Sequence, residues 1–230
     1  MALRPVFVPD EQPPFVKEVP VQFNWVAGMS KSQVQKCVIS LHEAAKRRGI
    51  DRILEISSKS TTSLGIKLSA FYLMLTPPQG QTMSVECAFQ GSKVFTGGGP
   101  FTDLYTVSSR EAKKDVRLRN SGELIGFNFL GENFPTIPRT AFYDWLYLNA
   151  LVQNPNLARE LLRYNAFTDI AFNPQKSINC QARAAALFTT LSRMGEVDRV
   201  IKDKGYYLKL ISAPSRKPIT GQKGRQERLL

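Results

Sequence analysis

The stretch "PRTAFYDWLYLNALVQNP" (138–155) constrains the fold more than any other part of the chain. Pro138 suits a helix opening, where its missing N–H would have no partner anyway. Phe142, Trp145, Leu146 and Asn149 then recur at helical spacing and define one face. That face has to be buried against other elements of the same core. "PNLARELLRY" (155–164) predicts a second helix, and "SINCQARAAALFTTLSRMG" (177–195) a third, whose alanines favour close packing.

The rest of the chain mixes both periods. "VKEVPVQFNWV" (16–26) alternates Val19, Val21, Phe23 and Trp25 against Pro20, Gln22 and Asn24. That is a half-buried strand, and Pro20 places it at a sheet edge. In "SKSQVQKCVISLHEAAKRRG" (30–49), Val34, Cys37, Val38, Leu41 and Ala45 repeat at helical spacing between serines and Gly49. "DRILEIS" (51–57) and "GYYLKLIS" (205–212) read as short strands, and "SGELIGFNF" (121–129) as a strand or buried loop. "LGIKLSAFYLML" (64–75) is apolar enough to be either strand or helix, and 108–115 reads as a short polar helix. The expected class is α+β, predominantly α: one domain over 1–213 with a small sheet and an N-terminal strand and helix, then a basic flexible tail over 214–230.

Charge narrows the partners. The 230 residues carry 31 Lys and Arg against 19 Asp and Glu, a net +12. Lysine and arginine concentrate in "KRRGIDR", "SSREAKKDVRLR" and the tail. A balance this basic fits either a solvated surface or an anionic partner such as nucleic acid or phosphate. The single histidine, His42, and three widely spaced cysteines argue against His-based metal sites, His-based triads and CxxC sites. No metal and no cofactor is called for. The longest apolar run, "AFYLML", has six residues, against the ~20 needed to span a bilayer. The N-terminal segment has no hydrophobic signal core, so a cytoplasmic location is expected.

One stretch pairs an apolar composition with chemistry-bearing residues: "SVECAFQGSKVF" (84–95). It predicts a helix, entered from the turn "TPPQGQT" and stopped by "GGGP". At ~100° per residue, Glu86, Gln90 and Lys93 share one narrow stripe, while Val85, Ala88, Phe89 and Phe95 lie on another arc. The stripe fits a solvated outer face or the wall of a cleft. In a cleft, a lysine flanked by apolar residues is a nucleophile or a cation according to whether burial or Glu86 governs its pKa.

These residues carry a resemblance. Glu86, Phe89, Gln90 and Lys93 match the E-x-x-F-Q-x-x-K hallmark of the NADAR (YbiA-like) family, with Val94 where an aromatic usually follows. Leu68–Phe71, "LSAF", matches an upstream F-S-N-F-like segment. Asn179 and Ala182 match the family's closing helix, and "LYLNAL" with "NPNLARELL" matches its paired helices. The resemblance covers 52–193. The family's acidic Trp- and Gly-containing loop is replaced by "YNAFTDIAFNPQKS", in which Asp169 either stands in for the acid or belongs to the preceding segment. The whole-chain pattern resembles one branch more closely still, the NADAR antitoxins encoded beside DarT-type DNA ADP-ribosyltransferase toxins.

What the resemblance implies is removal of ADP-ribose from guanine bases in DNA, with ADP-ribosylated DNA, ADP-ribose and the cognate toxin as partners. The implied catalytic residues are Glu86, Lys93 and Asp169. The implied ligand-binding residues are Ser58, Lys59, Phe71, Phe89, Gln90, Gly98, Lys176 and Asn179. ADP-ribose carries a pyrophosphate, for which "SSKS", "GGG" and "KSIN" are loop-like candidates, each readable as a plain turn instead. Other members are implicated in cleaving N-glycosides among riboflavin intermediates, which leaves hydrolysis of small ribosyl-amine metabolites as an alternative. A non-enzymatic module that binds ADP-ribose or the toxin is a third.

Overall fold

The computed structural model describes residues 1–28, 30–78, 80–175 and 177–214. Lys176 and nearly all of the basic tail lie outside the described residues.

The chain opens with two strands, β1 (Ala2–Pro9) and β2 (Val16–Phe23), and a long helix, α1 (Lys31–Lys46). Strand β3 (Ile53–Glu55) and helix α2 (Ser63–Lys67) follow. The short strands β4 (Met74–Leu75) and β5 (Met83–Ser84) lead into α3 (Val85–Gly91), and β6 (Lys93–Phe95) comes directly after it. A 3-10 turn (Thr102–Tyr105) precedes the short helices α4 (Ser109–Lys114) and α5 (Arg117–Asn120). A hairpin of β7 (Leu124–Phe129) and β8 (Glu132–Phe134) reaches the helices α6 (Ala141–Gln153) and α7 (Pro155–Leu161). Strand β9 (Ala166–Thr168) and helices α8 (Gln181–Arg193), α9 (Val197–Lys202) and α10 (Lys204–Ile211) complete the fold. Helix outweighs strand, as the α+β, predominantly α reading requires.

Strand pairing is split among small sheets rather than gathered in one. The four-stranded sheet runs β2-β1-β9-β3. β1 and β2 pair antiparallel along their whole length, from Ala2 opposite Phe23 to Pro9 opposite Val16. Pro20 thus sits on an edge strand, where its missing N–H breaks no ladder. β3 and β9 pair parallel, Leu54 opposite Phe167. A three-stranded sheet, β6-β7-β8, sends Phe127, Phe129 and Phe134 into the main core.

Local chemistry explains the helix starts. The Ser30 hydroxyl accepts from the Gln33 N–H at the start of α1, and Ser84 accepts from the Cys87 N–H at the start of α3. α4 opens with a reciprocal Ser108–Glu111 capping box. The main core joins α3, α6 and α8. Phe142 of α6 stacks on Phe127 at 4.7 Å between ring centroids and lies near Phe89, Phe129 and Phe134. α8 turns Ala182, Ala184, Ala185 and Ala186 inward, fully buried, so that backbones approach closely. A second apolar cluster, built on Cys37, Val38, Leu41 and Ala45, holds α1 against β1 and β2.

Several sequence expectations give way. "GYYLKLIS" is helix α10, not a strand: the Asp203 carboxylate caps the Tyr206 N–H, and Tyr207 is buried with its hydroxyl donated to the Ala141 carbonyl. A capped start and one deeply packed tyrosine outweigh the strand preference of its aromatic and β-branched residues. Trp25 does not extend the buried face of β2: the strand stops at Phe23, and Trp25 is exposed under the Arg4 guanidinium. α6 begins at Ala141, three residues beyond Pro138, and α8 begins at Gln181 rather than at Ser177. The ambiguous 64–75 segment divides into α2, a turn and β4.

Candidate active site

Helix α3 is buried on every side: Glu86 is 5% exposed and Gln90 7%. The solvated-face reading of this stripe is therefore wrong. The expected helix also ends early. Gly91 packs so closely on Tyr105 that an added Cβ would lie 2.5 Å from its ring. Ser92 then caps the helix and accepts the Asn128 N–H on its carbonyl, and Lys93 leaves along strand β6 opposite Phe127. Lys93 therefore approaches Glu86 from a sheet, not from the same helix face.

Glu86, Gln90 and Lys93 meet at a cleft of about 820 Å³. The Gln90 Nε2 donates to Glu86 Oε1 at 2.9 Å. Lys113, from α4, brings its Nζ to 3.8 Å from the same oxygen. Lys93 holds its Nζ 4.7 Å from the centre of the Phe89 ring. Burial pulls the Lys93 amine down to about 8; the charge of Glu86 opposes this and that of Lys113 adds to it. Tyr143 stands edge-on to Phe89 at 5.2 Å and completes the apolar wall.

Asp169 lies across the cleft, just after β9. Its Oδ1 accepts the Ala171 N–H and its Oδ2 accepts Gln181 Nε2, each at 3.0 Å. Burial pushes this carboxyl up to about 6, against those hydrogen bonds and the charge of Lys113. Behind it sits Glu55, fully buried and pushed up to about 8 by burial and then by Asp169. Glu55 accepts from the Thr168 hydroxyl at 2.6 Å and the Ile170 N–H at 3.0 Å. His42 Nε2 lies 2.8 Å from the same hydroxyl. Burial, with Lys46 nearby, holds this imidazole down at about 4.

A family model described as DarT1-associated NADAR antitoxin matches residues 2–219. The chain belongs to that family. An antitoxin role in a toxin–antitoxin pair with a DarT1 toxin goes with the membership. No curated protein matches the chain. The match reaches beyond both ends of the 52–193 resemblance and takes in β1, β2 and α1.

In this NADAR antitoxin the cleft gathers most of the residues singled out from sequence. Glu86, Lys93, Asp169, Ser58, Phe71, Phe89, Gln90 and Asn179 all line it. Lys59 and Gly98 do not. The Lys59 backbone closes a turn onto the Ser57 hydroxyl, and Gly98 bridges back to Phe95 in the loop after β6. Lys176 falls outside the described residues.

Sequence reasoning missed Lys113, Arg139, Tyr143 and Gln181 as cleft residues. Lys113 was visible only as one cation of a charge run, and Arg139 only as the residue after a helix-opening proline. Glu55 carried a usable signal: it interrupts the apolar strand "ILEI" just as Glu86 interrupts α3. Among the described residues no group of His, Cys, Asp and Glu could hold a metal ion. Nor, among them, is any helix long and apolar enough to cross a membrane.

Proposed function

We propose that this antitoxin is an ADP-ribosyl glycohydrolase that removes ADP-ribose from guanine bases in DNA, and that Glu86 and Lys93 carry the reaction. The supporting observation is the convergence of a buried carboxylate and a lysine amine lowered to about 8 on one cleft wide enough for a nucleotide-sized ligand. Two buried acceptors in its wall, Gln90 Oε1 and Asn179 Oδ1, have no donor among the described residues. Each such orphan costs ~1–3 kcal/mol, which a ribose hydroxyl or a base N–H would recover. The Ser58 hydroxyl and the Arg139 guanidinium offer donors to a pyrophosphate.

In the ring-opened sugar, C1 is doubly bonded to the guanine nitrogen. The neutral Lys93 amine adds to C1, and its two protons pass in turn from the lysine nitrogen to the guanine nitrogen by way of Glu86. The C1–guanine bond breaks, and guanine leaves as its free amine. Water then adds to the lysine imine, releasing ADP-ribose as the aldehyde and restoring the amine. With a pKa of about 8, about one amine in ten is neutral at pH 7, against fewer than one in a thousand for an ordinary lysine.

Incubation with a DNA oligonucleotide bearing ADP-ribosylated guanine, followed by mass spectrometry, tests the reading. Free ADP-ribose and unmodified oligonucleotide are expected. Intact substrate after prolonged incubation with folded protein would overturn the enzymatic reading.

A further inference from the structure

A second groove, of about 380 Å³, adjoins the catalytic cleft, and Phe71 lines both. The next residue, Tyr72, lines this groove and is 57% exposed, and Met74 beside it is 39% exposed. Across the groove stands Arg110 of α4, with no carboxylate in ion-pairing distance among the described residues. At the dividing wall the Lys113 ammonium lies 5.2 Å from the centre of the Phe71 ring. The acid of this helix, Glu111, is turned back to cap the Ser108 N–H at 2.9 Å. The groove is thus an exposed aromatic platform with Arg110 in its lining, and it shares with the site of chemistry the Phe71 wall on which Lys113 lies.

We infer that this groove seats the nucleotide next to the modified guanine on a single DNA strand, its base stacked on Tyr72 and its phosphate held by Arg110 and Lys113. The inference rests on the DNA reading above and specifies how the strand passes the site. Bases stack on aromatic side chains whatever their sequence, and cations track the backbone. A paired base in a duplex has no free face to give Tyr72, so the groove selects single strands.

The test compares Tyr72→Ala, Tyr72→Phe and Arg110→Glu, all surface substitutions, with the parent. Two substrates are used: ADP-ribosylated guanine within a single-stranded oligonucleotide, and the corresponding free nucleoside. Tyr72→Ala and Arg110→Glu should each raise KM for the oligonucleotide roughly five-fold or more and leave the nucleoside unaffected, while Tyr72→Phe behaves as the parent. Fluorescence anisotropy with an unmodified single-stranded oligonucleotide should show the same order, with weaker binding at higher salt and weaker binding of the duplex. Unchanged oligonucleotide KM and binding in both Tyr72→Ala and Arg110→Glu would overturn the inference, as would equal losses on both substrates. An RNA of the same sequence bound more tightly than the DNA would overturn the choice of strand. Should the parent hydrolyse neither substrate, the catalytic reading fails, and anisotropy still decides the groove.

Discussion

Lys113, not Lys93, is the ion-pair partner of Glu86: its Nζ lies 3.8 Å from Glu86 Oε1, and α4 has to pack on α3 to bring it there. Two lysines thus serve one carboxylate in different ways. Lys113 is largely exposed and pairs with the carboxylate from outside, whereas Lys93 is half-buried over Phe89.

Removing the outer cation should change the inner one. Lys113 helps to hold the Lys93 amine down, so Lys113→Ala should raise the pKa of Lys93. Solvent screens an exposed charge, so a rise of less than ~1 unit is expected. The alkaline-going limb of the kcat/KM profile should move to higher pH by the same amount. A limb that stays in place would show that Lys113 has no hold on that amine.

Trapping should catch the imine. Activity on the imine route rises with pH as Lys93 loses its proton, levelling above about 8. Borohydride added during turnover should leave a covalent sugar adduct on Lys93, identified by peptide mass mapping. Lys93→Arg should lower kcat by roughly 100-fold or more, because arginine keeps the charge but cannot form the imine. Glu86→Gln should cost a similar ~10²–10⁴-fold as the proton carrier is lost. No adduct, with Lys93→Arg largely active, would transfer the role to water activated by Glu86.

Glu55 should make stability depend on pH in a direction opposite to that of an ordinary ion-paired acid. Its folded pKa, about 8, lies above the usual carboxylate value. Between pH ~5 and 8 the folded state therefore binds more protons than the unfolded chain, and this contribution to stability is lost as pH rises. His42, lowered to about 4, acts in the opposite sense over the lower part of this range, and Lys93, lowered to about 8, does so only above it. The comparison of Glu55→Gln with the parent isolates the one group. Urea unfolding from pH 5 to 9 should show the variant gaining on the parent up to about 8 and the difference then levelling. A difference that does not change with pH would mean that Glu55 is ionised in the fold.

The end of α3 should tolerate no side chain. Gly91→Ala places a methyl 2.5 Å from the Tyr105 ring, and Tyr105 is itself tied to the Ser92 hydroxyl at 3.0 Å. Overpacking of this kind costs ~1–3 kcal/mol, measurable as a lower urea midpoint. Turnover should fall as well, since Ser92 leads directly into Lys93. Parent-like stability and kcat would show that Tyr105 yields without moving β6.

Much of this was legible in one dimension because it rests on short-range rules. Helical spacing located α1, α6 and α8, serines marked the start of α1, and Pro20 marked an edge strand. A glutamate and glutamine among apolar neighbours marked the buried site. Local signals were thinner for β1, which pairs with β2 along its whole length, and for β9, which pairs with β3 and meets β1 at Phe7 opposite Phe167. Pairing with distant partners overrides weak local preference, and the same rule made "GYYLKLIS" helical once Tyr207 had a core to enter. The electrostatics were wholly tertiary. That Lys93 reaches the cleft from a strand, that Lys113 meets Glu86, and that Glu55 stands behind Asp169 follow from packing between segments far apart in the chain. Charge and residue type are properties of the sequence, but desolvation and distance, which determine what a carboxyl or an amine can do, exist only once the chain has folded.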